Sequence, residues 1–272
     1  MCRSSAANGA FNGPSKFPPV KVIRPMKLYK VKAIVLKANN FREADLVLTI
    51  YSRERGKLRV VAYGACKPAS RKRGAVQPFT CAHFLLCRGR DLDTVSQADV
   101  LELFPVLRER LDLLGHAVYL GELVDAVTAE GQAAPAVFDL LLQALGLLEH
   151  LEPFLLDRAF EIKLLTLTGY RPCLERCVVC GAALPETACF SAPAGGMLCP
   201  SCAAAQPGGM RCRRGTVETL RLLLRWDLSR LERLRPDAAV RREMKEILRR
   251  HMEYHLDRRM KSTAFLHLIG ED

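Results

Sequence analysis

From Lys27 onward the apolar positions recur with a period of two, as in a strand. Val31, Ala33 and Val35 alternate with Ile34 and Leu36. A second such run is Leu46 to Tyr51, a third Leu58 to Tyr63, and a fourth Thr80 to Cys87. Arg88-Gly89-Arg90-Asp91 reads as a hairpin turn leading into a fifth run, Leu92 to Val100. Five short strands within about seventy-five residues are too few for a large sandwich and predict a small closed barrel of the OB type.

After Pro105 the period lengthens to about 3.6 residues. Leu107, Leu111, Leu114, Val118 and Leu123 are expected to share one helical face. Pro135 and Pro153 are placed to open two more helices, the first through Leu140, Leu141, Leu145 and Leu148, the second through Leu155, Phe160, Leu164 and Leu167. Helical character returns over 216–234 and 237–260. The expected organisation is a disordered basic arm (1–26), an OB-fold nucleic-acid-binding domain (27–104), a first helical part (105–172), a metal-binding segment (173–212) and a second helical part (213–272). The arm is rich in Ser, Ala, Asn, Gly and Pro and holds no acid; its composition favours a dispensable extension over an arm that contacts phosphate. Met26 is an alternative start.

Charge singles out the barrel. The formal net charge is +12 at pH 7. Residues 1–104 carry 19 Lys and Arg against 7 Asp and Glu, whereas 105–272 carry 22 of each, so the whole excess lies in the first part. That asymmetry points to a polyanion, and with no basic amphipathic helix beside it nucleic acid is favoured over a membrane. The candidate contacts are Arg42, Arg53, Arg55, Lys57 and Arg59 on and between the first strands. Lys67, Arg71, Lys72 and Arg73 follow in the loop 64–78, with Arg88 and Arg90 at the hairpin turn. Tyr29, Phe41, Tyr51, Tyr63, Phe79 and Phe84 are each assigned to packing, with stacking on bases as the alternative. No stretch is apolar and long enough to span a bilayer, and residues 1–26 lack the apolar run of a signal peptide, so a cytoplasmic location is expected.

Eleven cysteines suit a reducing compartment. Cys177-x-x-Cys180 and Cys199-x-x-Cys202 have the spacing of a four-cysteine zinc site. Four protein sulfurs leave no open coordination position, so one structural Zn2+ is expected, with no activated water. Cys173 is read as a non-ligand, and Cys66, Cys81 and Cys87 as small packed residues. His251-Met-Glu-Tyr-His255 is not the HExxH of a metalloprotease and is read as a polar or interface face. Arg241, Arg242, Arg249, Arg250, Arg258 and Arg259 form either a second anionic-ligand surface or solvated charge balanced by Glu243, Glu246, Glu253 and Asp257. No catalytic constellation and no GxxxxGK[ST] phosphate loop is present, so no enzyme activity is expected.

Several stretches resemble the RecO family of bacterial recombination mediators. Ala33-Ile34-Val35-Leu36-Lys37, Arg42-Glu43-Ala44-Asp45 and Gly56-Lys57 resemble its opening. Ala62-Tyr63-Gly64-Ala65-Cys66-Lys67-Pro68-Ala69-Ser70-Arg71 is similar to its basic loop, and Leu92-Asp93-Thr94 to its last strands. Gly169-Tyr170-Arg171-Pro172-Cys173-Leu174, leading into Cys177-Val178-Val179-Cys180-Gly181, resembles its approach to zinc. The resemblance runs from about Lys27 to the end and excludes the arm before Met26. It implies an OB barrel, a helical domain and a zinc-bearing segment. It implies binding to single- and double-stranded DNA, annealing of complementary strands, and loading of RecA onto DNA coated with single-strand binding protein. RecR and the acidic C-terminal tail of that binding protein are the implied partners, and zinc is implied to be dispensable for the activity itself. Two rival readings are a zinc-ribbon regulator that binds particular duplex sequences and a thiol or redox enzyme using the surplus cysteines.

Overall fold

The computed structural model describes residues 27–206, 208–256 and 260–268. The arm, Arg258 and Arg259 lie outside them. Five strands, β1 (Leu28–Arg42), β2 (Asp45–Ser52), β3 (Gly56–Ala62), β4 (Cys81–Cys87) and β5 (Asp93–Glu102), close into a barrel of order β1-β2-β3-β5-β4. Neighbours are antiparallel except β3 and β5, which meet in parallel through Val60–Asp93 and Val61–Thr94. This is the OB-type barrel expected from the strand spacing.

Alternation along β1 now has a physical reading. Val31, Ala33 and Val35 fill the barrel interior with Leu48, Ile50, Val60, Phe84 and Leu86. Ile34 and Leu36 point the other way, into a core shared with Tyr51, Cys81 and the helices. A strand buried on both faces alternates between two cores rather than between core and water.

The helical region begins with α1 (Val106–Glu109) and α2 (Leu111–Val127), followed by α3 (Pro135–Leu147) and α4 (Pro153–Leu167). Both prolines open their helices, where a missing N–H costs nothing. Of the expected face through Leu107, Leu111, Leu114, Val118 and Leu123, only Leu107 and Leu123 are buried. Arg110 is extended (φ −112°, ψ 111°) and breaks the helix there. The phase resets, so Leu111 (59% exposed) and Val118 (41%) face solvent, while Leu113, Ala117, Leu120, Leu123 and Val124 are buried.

The cysteine segment contains strands that apolar periodicity did not suggest. β6 (Thr187–Ser191) lies between β7 (Gly196–Leu198) and β8 (Met210–Arg213), with α5 (Pro200–Ala204) after β7. At three to five residues each, these strands are too short to show a period. Then come α6 (Arg214–Arg225), a 3-10 turn (Leu228–Arg233), α7 (Ala238–Leu256) and α8 (Ser262–Leu268). Asp237 caps α7, accepting from the Ala239 and Val240 N–H groups at 2.8 Å each. Among the described residues no helix is long and apolar enough to cross a membrane.

Barrel and helices share a tight seam. The β2–β3 turn approaches the α2–α3 connection so closely that a Cβ on Gly56 (φ +66°) would lie 1.8 Å from the Gln132 carbonyl oxygen. Phe79 holds a left-handed backbone (φ +61°), rare for a bulky residue. Its N–H donates to Val35 O at 2.7 Å, and its ring sits against Gly121 of α2. Within the helices, α2 and α4 join through a buried polar set. His116 Nδ1 lies 2.7 Å from Asp157 Oδ2, and Glu161 bonds Tyr119 and Arg158.

Candidate nucleic-acid interface and metal centre

The eleven basic candidates divide by environment. Lys57 is turned toward the helices: its Nζ is 3.1 Å from Asp125 Oδ1 and donates to Asp125 O at 2.7 Å. Lys37 meets the same carboxylate at 2.6 Å. Arg53 forks onto Asp139 of α3 at 3.0 and 3.1 Å. Arg55 lies 4.4 Å from the centre of the Tyr29 ring. Lys72 donates from Nζ to Val95 O at 3.0 Å, and burial lowers its pKa. That bond fastens the long loop to β5 close to the β4–β5 hairpin.

Arg42, Arg59, Lys67, Arg71, Arg73, Arg88 and Arg90 differ. All are exposed, and none forms an ion pair among the described residues. They occupy the end of β1, the outside of β3, the loop after β3 and the β4–β5 hairpin. Loops 1–2 and 4–5 of OB barrels are where such folds meet oligonucleotides. Asp93 steadies the hairpin, accepting from Gly89 N–H at 2.9 Å and from Tyr29 OH.

The aromatic assignments hold at four positions, Tyr29 packing against the barrel core while partly exposed, and fail at two. Tyr51, Phe79 and Phe84 are buried as expected, but Phe41 and Tyr63 are exposed. Cys66 is exposed too, whereas Cys81 is buried; in the loop after β3 it is Ala65, Ala75 and Val76 that pack into the barrel core.

The four zinc-spaced cysteines come together. The sulfurs of Cys177, Cys180, Cys199 and Cys202 all lie within 4.8 Å of one another, and Cys180 and Cys199 are 3.7 Å apart. Sulfurs at the corners of a tetrahedron with Zn–S bonds of about 2.3 Å would stand roughly 3.8 Å apart. Backbone N–H groups of Cys180, Cys199 and Val179 point at the Cys177 sulfur and draw its pKa down to about 6. Cys202 is pushed up to about 12, chiefly by hydrogen bonding with Cys199 and Cys180. Four sulfurs this close cannot all carry charge without a cation between them, so the donor set fits a divalent thiophilic metal. Cys173 stands outside the group, its Sγ 3.8 Å from Arg176 O and its backbone paired beside Gly196.

His251 is buried rather than on a surface face. Its Nε2–H donates to Tyr170 O at 2.8 Å, and burial lowers the ring pKa to about 4. On the same helix Arg249 pairs with Glu246 and Glu253, Arg250 with Glu246, and Arg241 with Glu152. Arg249 and Arg250 follow the balanced-charge reading, whereas Arg241 is balanced by Glu152, an acid outside that helix. Sequence reasoning missed Asp125 and Asp139 as partners of the barrel cations, and Lys37 as a second cation on Asp125. It also missed Glu122, which caps α8 by accepting from the Lys261 and Ser262 N–H groups at 2.9 and 2.8 Å. The acids lie 68 to 140 residues from these partners, beyond any local spacing rule.

Fold and site together define an OB-barrel protein with a helical body and a four-cysteine knuckle. Residues 26–104 match the family described as Recombination protein O N terminal, and residues 108–264 match Recombination protein O C terminal. The chain belongs to the RecO family. It is 48% identical to the DNA repair protein RecO of Pelotomaculum thermopropionicum, over 90% of this chain and 96% of that protein. It is 46% identical to the DNA repair protein RecO of Desulforamulus reducens, over 89% of this chain and 94% of the other. Its identity to the protein of the same name from Desulforudis audaxviator is 48%, over 90% and 98% of the two chains.

Proposed function

We propose that this chain is a DNA-binding mediator of recombinational repair in the bacterial cytoplasm. It binds single- and double-stranded DNA largely without sequence preference and anneals complementary strands. With RecR it helps to load RecA onto DNA coated with single-strand binding protein, whose acidic tail it recognises. The carrying observation is the set of seven exposed cations that form no ion pair among the described residues, at the β1 end, on the outside of β3, in the long loop and at the β4–β5 hairpin. Phosphate carries no base information, so such a surface favours affinity over sequence preference. Annealing needs two polyanions to approach, and fixed positive charge lowers their repulsion.

Arg42, Arg59, Lys67, Arg71, Arg73, Arg88 and Arg90 are assigned to phosphate. Arg53 and Lys57 serve the seam with the helices, Lys72 fastens the loop, and Arg55 packs on Tyr29. Cys177, Cys180, Cys199 and Cys202 hold one Zn2+, which braces the knuckle. No catalytic residue is assigned, and the role is binding rather than turnover. The test is competition: random single-stranded DNA should displace a labelled oligonucleotide as well as unlabelled copies of itself. Displacement only by one duplex sequence would identify a sequence-reading regulator instead.

A further inference from the structure

The barrel end beside the β1–β2 turn carries two aromatic rings that no core uses. Phe41 and Tyr63 are each 49% exposed, whereas Tyr51 and Phe84 of the same barrel are fully buried. An exposed ring forgoes the burial that is the usual contribution of an aromatic side chain.

Backbone pairing brings the two residues to the same end of the barrel. Arg42 pairs with Asp45 across the turn, and Leu46 pairs with Ala62, the residue before Tyr63. The loop that starts at Tyr63 is then tied to the turn that follows Phe41. Gly64 N–H donates to Asp45 Oδ1 at 2.8 Å, and Cys66 N–H donates to Ala44 O at 3.0 Å. Two cations flank the rings. The Arg42 guanidinium lies 5.2 Å from the Phe41 ring centre. Lys67 folds back over Gly64, whose missing Cβ would stand 3.7 Å from Lys67 Cδ. Glu43 is the exposed acid of the turn, and Asp45 is engaged by Gly64.

We infer that Phe41 and Tyr63 form a stacking platform for unpaired bases of single-stranded nucleic acid, with Arg42 and Lys67 on the flanking phosphates. This rests on the proposed DNA binding and names the groups that distinguish one strand from two. Every base offers a π-face, so stacking is tolerant of sequence, and a ring on a protein surface reaches only bases that are not already paired and stacked. Cations beside flat rings match the alternation of phosphate and base along a single strand.

The test compares the full chain with Phe41→Ala, Tyr63→Ala and the double variant, on labelled oligo-dT, an abasic oligomer of equal length, and a duplex. Each lost ring should weaken oligo-dT binding about fivefold or more, leaving the abasic oligomer and the duplex unchanged. The salt dependence on oligo-dT should keep its slope, because the phosphate contacts remain. Tyr63→Phe should bind like the parent. Phe41→Trp gives a second readout: its emission should be quenched by oligo-dT and not by the abasic oligomer. Equal losses on oligo-dT and the abasic oligomer, or no loss on either, would overturn the platform. An unquenched Trp in a protein that binds oligo-dT would do the same. A parent chain that binds none of the three ligands would overturn the DNA-binding reading itself and the platform with it.

Discussion

Lys57 Nζ lies 3.1 Å from Asp125 Oδ1 and donates to the Asp125 carbonyl oxygen, so a lysine from the basic stretch of the barrel joins it to helix α2. The neighbouring Gly131 N–H donates to Lys57 O at 3.0 Å. Lys57→Ala should therefore destabilise the fold by about 1–3 kcal/mol, the usual cost of a charged hydrogen bond removed from a partly buried site. DNA affinity should stay within about twofold of the parent. Thermal melting beside DNA titration checks this; weaker DNA binding at unchanged melting temperature would place Lys57 on phosphate.

Among the described residues, Lys67, Arg71 and Arg73 have no such partner. Replacing all three by Ala should lower affinity for every DNA sequence alike, leave the melting temperature nearly unchanged and flatten the salt dependence. Each lost contact should reduce the slope of log affinity against log salt by about 0.7 on single strands and 0.9 on duplex. Binding isotherms at four salt concentrations measure it. Altered sequence preference at unchanged slope would refute the phosphate assignment. Lys72→Ala should differ from that set by loosening the loop against β5, since its amine is held by Val95 O.

The cysteine knuckle should hold one equivalent of zinc per chain. Cys177→Ser with Cys199→Ser should abolish metal binding and expose the apolar knuckle core around Leu198. Elemental analysis and melting should change together, and chelation of the parent protein should reproduce the shift. DNA annealing by the fraction that remains folded should persist. A fully folded, metal-free protein unable to anneal would give zinc a part beyond bracing.

Two buried groups should set opposite pH dependences. Burial lowers the His251 pKa to about 4, against an ordinary value near 6.5. Its contribution is present above about pH 6.5 and is lost as pH falls toward 4, by a few kcal/mol in all. Burial raises the Glu161 carboxyl to about 7, with the Arg158 guanidinium opposing. Its contribution is full below about pH 4.3 and is lost as pH rises through 7. Denaturation midpoints across pH 4–8 should therefore rise more steeply with pH in Glu161→Gln than in the parent. Identical profiles would show that Glu161 is ionised throughout.

Much of this molecule was legible because its signals are local. Strand alternation, helix-opening prolines and the two CxxC pairs all act within a few residues, and the barrel, α3, α4 and the cysteine group follow from them. The charge asymmetry marked the barrel, but it could not separate Lys57 from Arg59, two residues apart on one strand. Strand parity puts both on the outer face of β3; their fates differ because Lys57, at the strand end beside the α2–α3 connection, reaches Asp125, whereas Arg59 further along is exposed, and local sequence does not say how far along the strand the helices extend. The same long-range packing hid the Lys37–Asp125 and Arg53–Asp139 pairs. Leu111 and Val118 misled for a different reason: a single extended residue, Arg110, resets the helical phase without any glycine or proline to announce it.

The proposed annealing surface is the set of exposed barrel cations that form no ion pair among the described residues. Annealing of complementary oligonucleotides coated with single-strand binding protein, followed with and without the Lys67, Arg71 and Arg73 substitutions, tests it most directly. The parent chain should accelerate annealing, and the triple variant should melt normally but lose most of the acceleration. Undiminished annealing by that variant, or none by the parent, would contradict that assignment.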